Sequence, residues 1–205
     1  MIELFVSAFV TFFVVIDPPG CAPIFAGLTQ GATAVHRRSM AFRAVGVAAA
    51  ILLVFALVGE DLLKGLGIEL ASFRIAGGIM LFLIALEMVF EKRTQRREDR
   101  AAKVTPDEAE DVSIFPMAMP MIAGPGSIAT VMLLTSHASG LSGTAVVLGA
   151  LAANLLLTLV ALLAAGSLMK LMGAKIEAVI TRLLGVLLAA LAVQFVIDGV
   201  QSQLG

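Results

Sequence analysis

Two short stretches carry residue types that an ordinary membrane helix avoids. The first is Asp17-Pro18-Pro19-Gly20-Cys21 and the second is Gly124-Pro125-Gly126-Ser127, each embedded in a long apolar run. Proline removes a backbone donor, clashes with the carbonyl four residues back and disfavours helix in its predecessor. Each run is therefore expected to be two half-helices meeting near Asp17–Gly20 and Ala123–Gly126. A half-helix that starts there offers unpaired N–H groups and about half a unit of positive dipole charge. Such ends favour anions. Asp17 is suited to cap the new half-helix with Pro18 behind it, and Gly124 with Pro125 repeats the pattern.

Asp17 breaks the symmetry, because the aligned position holds Ala123. A carboxylate costs roughly 2.5–3.5 kcal/mol at the centre of a membrane helix, so it needs a reason to be there. It is either a cap satisfied by local N–H groups or a partner for a cation or amine. One anion-binding pole and one carboxylate pole suit a zwitterion. The residues thus suggest a small amino acid, its carboxylate on the Gly126 and Ser127 amides and the Ser127 hydroxyl. Its amine would lie near Asp17 and the carbonyls freed around Pro19, Gly20 and Cys21.

Other polar residues are less pointed. Arg74 and Arg182 sit at mirrored positions, where they either gate the site or snorkel and pair with Glu69 and Glu177. Asn154 either lines the cavity or hydrogen-bonds between helices. Glu87 and Asp198 fall near helix ends and read as solvated. Cys21, the only cysteine, gives neither a disulfide nor a metal framework. Both histidines, His36 and His137, fall in loops, so Ser127 lacks a base and an enzyme is not expected.

The elements that position these residues follow from composition. The 205 residues are 60% hydrophobic and 14% charged, with mean hydropathy +1.02, which places the chain among membrane proteins. A bilayer span needs about 20 mostly apolar residues. Six segments qualify: 4–29, 41–59, 70–90, 114–135, 144–166 and 183–200. The start of the chain has no basic region ahead of its apolar run, so a cleaved signal peptide is not expected. Trp and Tyr are absent, leaving Phe, Lys and Arg to mark the interfaces. With six spans, twelve of the fourteen basic residues share one side, leaving only Lys64 and Arg74 opposite. The positive-inside rule then puts both termini outside and the 91–112 loop in the cytoplasm. That loop, basic first and acidic later, reads as a solvated connector with no claim to nucleic-acid binding.

The chain also reads as one unit written twice. Ser7–Thr29 and Ser113–Thr135 align without a gap, matching at Phe9/Phe115, Ile16/Ile122, Pro19/Pro125 and Gly20/Gly126. Ile68–Gly77 and Ile176–Gly185 share Ile-Glu, then an Arg and a Gly at equal offsets. A three-span unit repeated must enter the membrane the other way up. The expectation is an all-α membrane protein of six transmembrane helices arranged as a 3+3 inverted repeat. Helices 1 and 4 are broken at Pro-Gly near the midplane. The repeats are 1–90 and 113–205, joined by the charged linker 91–112. The small-residue sets Gly46/Ala50 and Gly149/Ala153 read as close helix contacts.

Ser72–Phe82, Ile114–Ala129 and Ile176–Gly199 resemble the MarC-type family of bacterial inner-membrane proteins, a likeness that extends over the whole chain. The Asp17–Phe25 stretch is similar to that family's Asn/Asp-Pro motif, departing at Cys21, where many members carry a polar residue. The resemblance implies a six-span plasma-membrane protein grouped with small neutral amino-acid transporters and LysE-like exporters. It implies export or exchange of a small solute, with no cofactor. A proton on Asp17 or sodium on freed carbonyls both remain open as coupling ion, as does a homo-oligomer. A channel and a non-transporting structural protein are the alternatives, although neither carboxylate rings nor a carbonyl filter is visible.

Overall fold

The computed structural model describes residues 1–102 and 111–204. Among them the chain is helical with no strand: α1 (Ile2–Ile16), α2 (Pro18–Leu28), α3 (Ala34–Gly65), α4 (Leu70–Val89) and α5 (Lys92–Ala102) come first. After an irregular segment, Ser113–Ile122, follow α6 (Pro125–His137), α7 (Gly140–Leu163) and α8 (Ala165–Leu204). Five runs are long and apolar enough to cross a membrane: Ile2–Leu28, Ala34–Gly65, Leu70–Val89, Gly140–Leu163 and Ala178–Leu204. Segment Ser113–Ile122 and α6, bent by 52°, make a sixth if they count as one span. The polar end of the linker, 103–110, lies outside the described residues.

Local chemistry sets the boundaries. Thr33 caps α3, its hydroxyl accepting the His36 N–H at 3.2 Å. The turn into α4 uses Gly67 at φ 70°, a left-handed conformation a side chain would strain. Within 113–122, Phe115 and Met119 are extended, as residues preceding proline prefer. The bonds into Pro116 and Pro120 are cis.

Burial sorts the spans into inner and outer ones. The run Ile2–Leu28 buries 56% of its most apolar stretch, against 28% for α3, α4 and the α8 span. The first span is thus central, with Phe12, Ile16 and Phe25 fully enclosed beside Ile122 and Leu133. The outer helices leave Leu53, Val54, Leu57, Leu83, Val186 and Leu187 exposed. An apolar rim of that kind is soluble only in lipid.

Helices α4 and α8 approach each other backbone to backbone. A Cβ on Gly78 would lie 2.8 Å from the Ala192 carbonyl oxygen and 3.0 Å from the Val196 nitrogen. On Gly199 it would lie 3.0 Å from the Ala71 oxygen. The close contacts expected at Gly46 and Gly149 do not form. Both glycines are exposed with open space around them, because those helix faces turn away from the protein. Sequence spacing finds small residues but not the face they occupy.

Candidate functional site

The α1–α2 junction is built by what proline withholds. Pro18 and Pro19 have no N–H, so the Val14 and Val15 carbonyls lose their helical partners. Asp17 closes α1 in a left-handed conformation (φ 58°, ψ 65°), its N–H still reaching the Phe13 oxygen at 3.0 Å. Its carboxylate then caps α2, accepting the Gly20 N–H at 3.1 Å. The second carboxylate oxygen accepts from Arg97 of α5 at 2.8 Å, an ion pair buried on both sides. Arg97 also donates to the Ile16 oxygen at 3.4 Å, and Arg93 donates to the orphaned Val15 oxygen at 2.6 Å. Arg93 thus supplies the donor that Pro19 removed, and Arg97, four residues on, serves the adjoining Ile16 carbonyl and the Asp17 carboxylate.

This corrects the reading of 91–112 as a solvated connector. Residues 92–102 form a helix, and Arg97 retains only 6% of its surface. Asp17, 1% exposed, is a cap and an ion-pair partner at once. A buried carboxylate demands a full complement of donors, and here it obtains them within the chain.

The tip of α6 is different. Gly124 sits at its N-cap and provides no side-chain cap, Pro125 follows, and the first backbone bond runs from Ile128 to Gly124. The amides of Gly126 and Ser127 precede that bond, where a helix leaves its N–H groups unsatisfied. Ser127 is 2% exposed, and its hydroxyl bonds to no described residue.

A cavity of about 440 Å³ opens at this tip. Its wall comprises Gly124, Pro125, Gly126 and Ser127 of the α6 tip, Glu87 of α4, and Arg93, Arg96 and Arg97 of α5, with Val15, Leu83 and Ile84 as apolar surface. Glu87, expected to be solvated, is only 20% exposed in its side chain and pairs with Arg96 at 2.5 Å. Arg93 has no acidic partner among the described residues; its remaining contact is the Met88 sulfur at 2.9 Å. Burial, with Arg97 nearby, presses Arg93 down to about 10, leaving it a cation at neutral pH. The space is therefore positively biased.

Of the residues singled out from sequence, the α6-tip set lines this cavity. Asp17, Pro19, Gly20 and Cys21 do not; they form the neighbouring junction, where buried Cys21 reaches the Ile16 oxygen at 3.5 Å. Asn154 donates to the Phe9 and Ala150 oxygens at 2.9 and 3.2 Å, tying α7 to α1, while its own oxygen is buried without a partner. Arg74 donates to Ser202 at 3.0 Å, and Arg182 pairs with Glu91, so each holds an α4–α8 end. Sequence reasoning missed Glu87, Arg93, Arg96 and Arg97. The available signal was the Arg93-x3-Arg97 spacing, set against a buried carboxylate and a proline-orphaned carbonyl elsewhere in the chain.

Fold and composition together define an integral, multi-pass, helical membrane protein. Residues 2–204 match the MarC family of integral membrane proteins, and the chain belongs to that family. A UPF0056 membrane protein of Methanocaldococcus jannaschii is 37% identical over 99% of this chain and 98% of its own length. The Bacillus subtilis UPF0056 membrane protein YvbG is 35% identical over 98% and 96%. A third, from Archaeoglobus fulgidus, is 32% identical over 99% and 95%. No solved structure matches the chain. A helical protein with relatives in bacteria belongs in the plasma membrane, since helical bundles span that bilayer.

Proposed function

We propose that this protein is a secondary carrier for a small solute bearing a carboxylate, best fitted by a small neutral amino acid. In this reading the repeats 1–90 and 113–205 are inverted copies, and the site lies at the second interrupted span, to which the first contributes Val15. Alternating access moves one repeat against the other around it. The observation that carries the reading is the 440 Å³ cavity at the α6 tip, which joins free amides, a buried hydroxyl and surplus positive charge. Its size lies within the usual range for small-ligand sites. The reciprocal ties Arg74–Ser202 and Arg182–Glu91 support the repeat, because each links the start of one half's last apolar span to the far end of the other's.

The amine pole shifts in this account. Asp17 is engaged by Gly20 and Arg97, so the carboxylate available to a substrate ammonium is Glu87, whose partner Arg96 is more than half exposed and free to swing away. Carrier chemistry also needs no base, and neither His36 nor His137 lines the cavity. Export or exchange, driven by a proton or sodium gradient, fits equally well.

Counterflow in proteoliposomes tests the reading. Vesicles preloaded with unlabelled glycine, alanine or serine should accumulate the labelled form transiently and saturably. Silence across a full amino-acid panel would remove the carrier assignment.

A further inference from the structure

We propose that Arg93 is the side chain that receives the ligand's carboxylate, together with the Gly126 and Ser127 amides and the Ser127 hydroxyl. The assignment takes its purpose from the carrier reading, but its chemistry stands on three separate observations.

The first is charge. Three arginines line the cavity; Arg97 is matched by Asp17 and Arg96 by Glu87, whereas among the described residues Arg93 has only a carbonyl and a sulfur. A guanidinium has five N–H donors, so Arg93 retains three for a ligand. The second is Ser127, a residue 2% exposed whose hydroxyl bonds to no described residue, on the cavity wall beside the free amides. A hydroxyl on a cavity wall with no bond inside the chain keeps its donor and acceptor for whatever occupies the space.

The third is an internal template. At the first break, a carboxylate rests on a helix N-terminal amide and a guanidinium closes over it: Asp17 on Gly20, with Arg97 at 2.8 Å. At the second break the sequence supplies the counterparts Gly126 for Gly20 and Ser127 for Cys21, with Arg93 one helical turn before Arg97. Only the carboxylate is missing, because Ala123 stands in the place of Asp17. One site carries its own anion, and the other has the donors without it. The ligand class is therefore a small monocarboxylate group, held as Asp17 is held.

The test is equilibrium binding to the full-length protein in lipid nanodiscs, using glycine, acetate and glycinamide, with melting temperature recorded in parallel. Labelled glycine should bind and acetate should compete, whereas glycinamide, which lacks the carboxylate, should not. Arg93→Gln should weaken glycine binding at least tenfold, and Arg93→Lys by less. Ser127→Asp should abolish binding by placing a carboxylate in the site, without lowering the melting temperature. That variant keeps the test decisive if Arg93→Gln folds poorly. Competition by glycinamide equal to that of acetate, unchanged affinity in Ser127→Asp, or no binding of either carboxylate to the wild type would overturn the assignment. Binding without counterflow would remove the carrier reading and leave Arg93 in its role.

Discussion

A buried ion pair is tolerated when both charges are fully engaged, and breaking one side leaves the other stranded. Asp17 and Arg97 meet that condition, with side chains 1% and 7% exposed, the other Asp17 oxygen accepting from Gly20 and Arg97 donating also to Ile16. Asp17→Asn retains a capping oxygen and a residue that tolerates left-handed backbone, so it removes little but the charge. It should destabilise by about 3–5 kcal/mol, as should Arg97→Met, because each strands a buried ion. The double variant should recover most of that loss, which a double-mutant cycle on reversible unfolding in mixed micelles will read. Strictly additive losses would mean the two residues do not act together. From sequence, the cost of burying Asp17 was visible and its partner was not. A run of arginines 80 residues away reads as solvated until a neighbour's missing donors are counted. The α6-tip residues were legible for the opposite reason: their chemistry lies in backbone amides, which proline and glycine mark directly.

Among elements, α4 and α8 depend on backbone contact rather than side-chain filling. Gly78 faces the Ala192 oxygen and Val196 nitrogen, which cannot move without parting the helices. Gly78→Ala should therefore cost about 1–3 kcal/mol, the usual range for overpacking. Gly46→Ala, in an exposed stretch of α3 with nothing near its Cβ, should instead gain about 0.5–1 kcal/mol through helix propensity. Thermal unfolding of the two variants in one detergent gives the comparison, and equal shifts would contradict the interface. Helix positions were readable from apolar length and proline. Helix α5 was not, since its sequence is polar throughout and its docking comes from two side chains bonding to α1. Nor were the tight glycines separable from the lipid-facing ones, because all lie in uniformly apolar helices without a polar face to set the phase.

At the scale of the molecule, charge is shared unequally between the two ends. Arg37, Arg38 and Arg43 lie in the first turns of α3, and the Arg43–Asp111 pair ties that end to the chain entering segment 113–122. Arg93, Arg96 and Arg97 gather at the end of α4, beside the cavity. The opposite end holds Lys64 and Arg74; Lys64 is paired with Glu60 at 2.9 Å and Arg74 is bonded to Ser202. The asymmetry thus survives folding among the described residues, and the positive-inside rule predicts that the basic end faces the cytoplasm. The more exposed rim of the cavity, marked by Arg96, belongs to the basic end, so the orientation also decides which compartment the candidate site faces. In intact cells, a membrane-impermeant maleimide should label Lys64→Cys and spare Arg38→Cys, and disrupting the membrane should reverse that protection. Native Cys21 is fully buried and adds little background. Labelling of Arg38→Cys from outside would invert the molecule and turn the basic rim of the cavity toward the exterior.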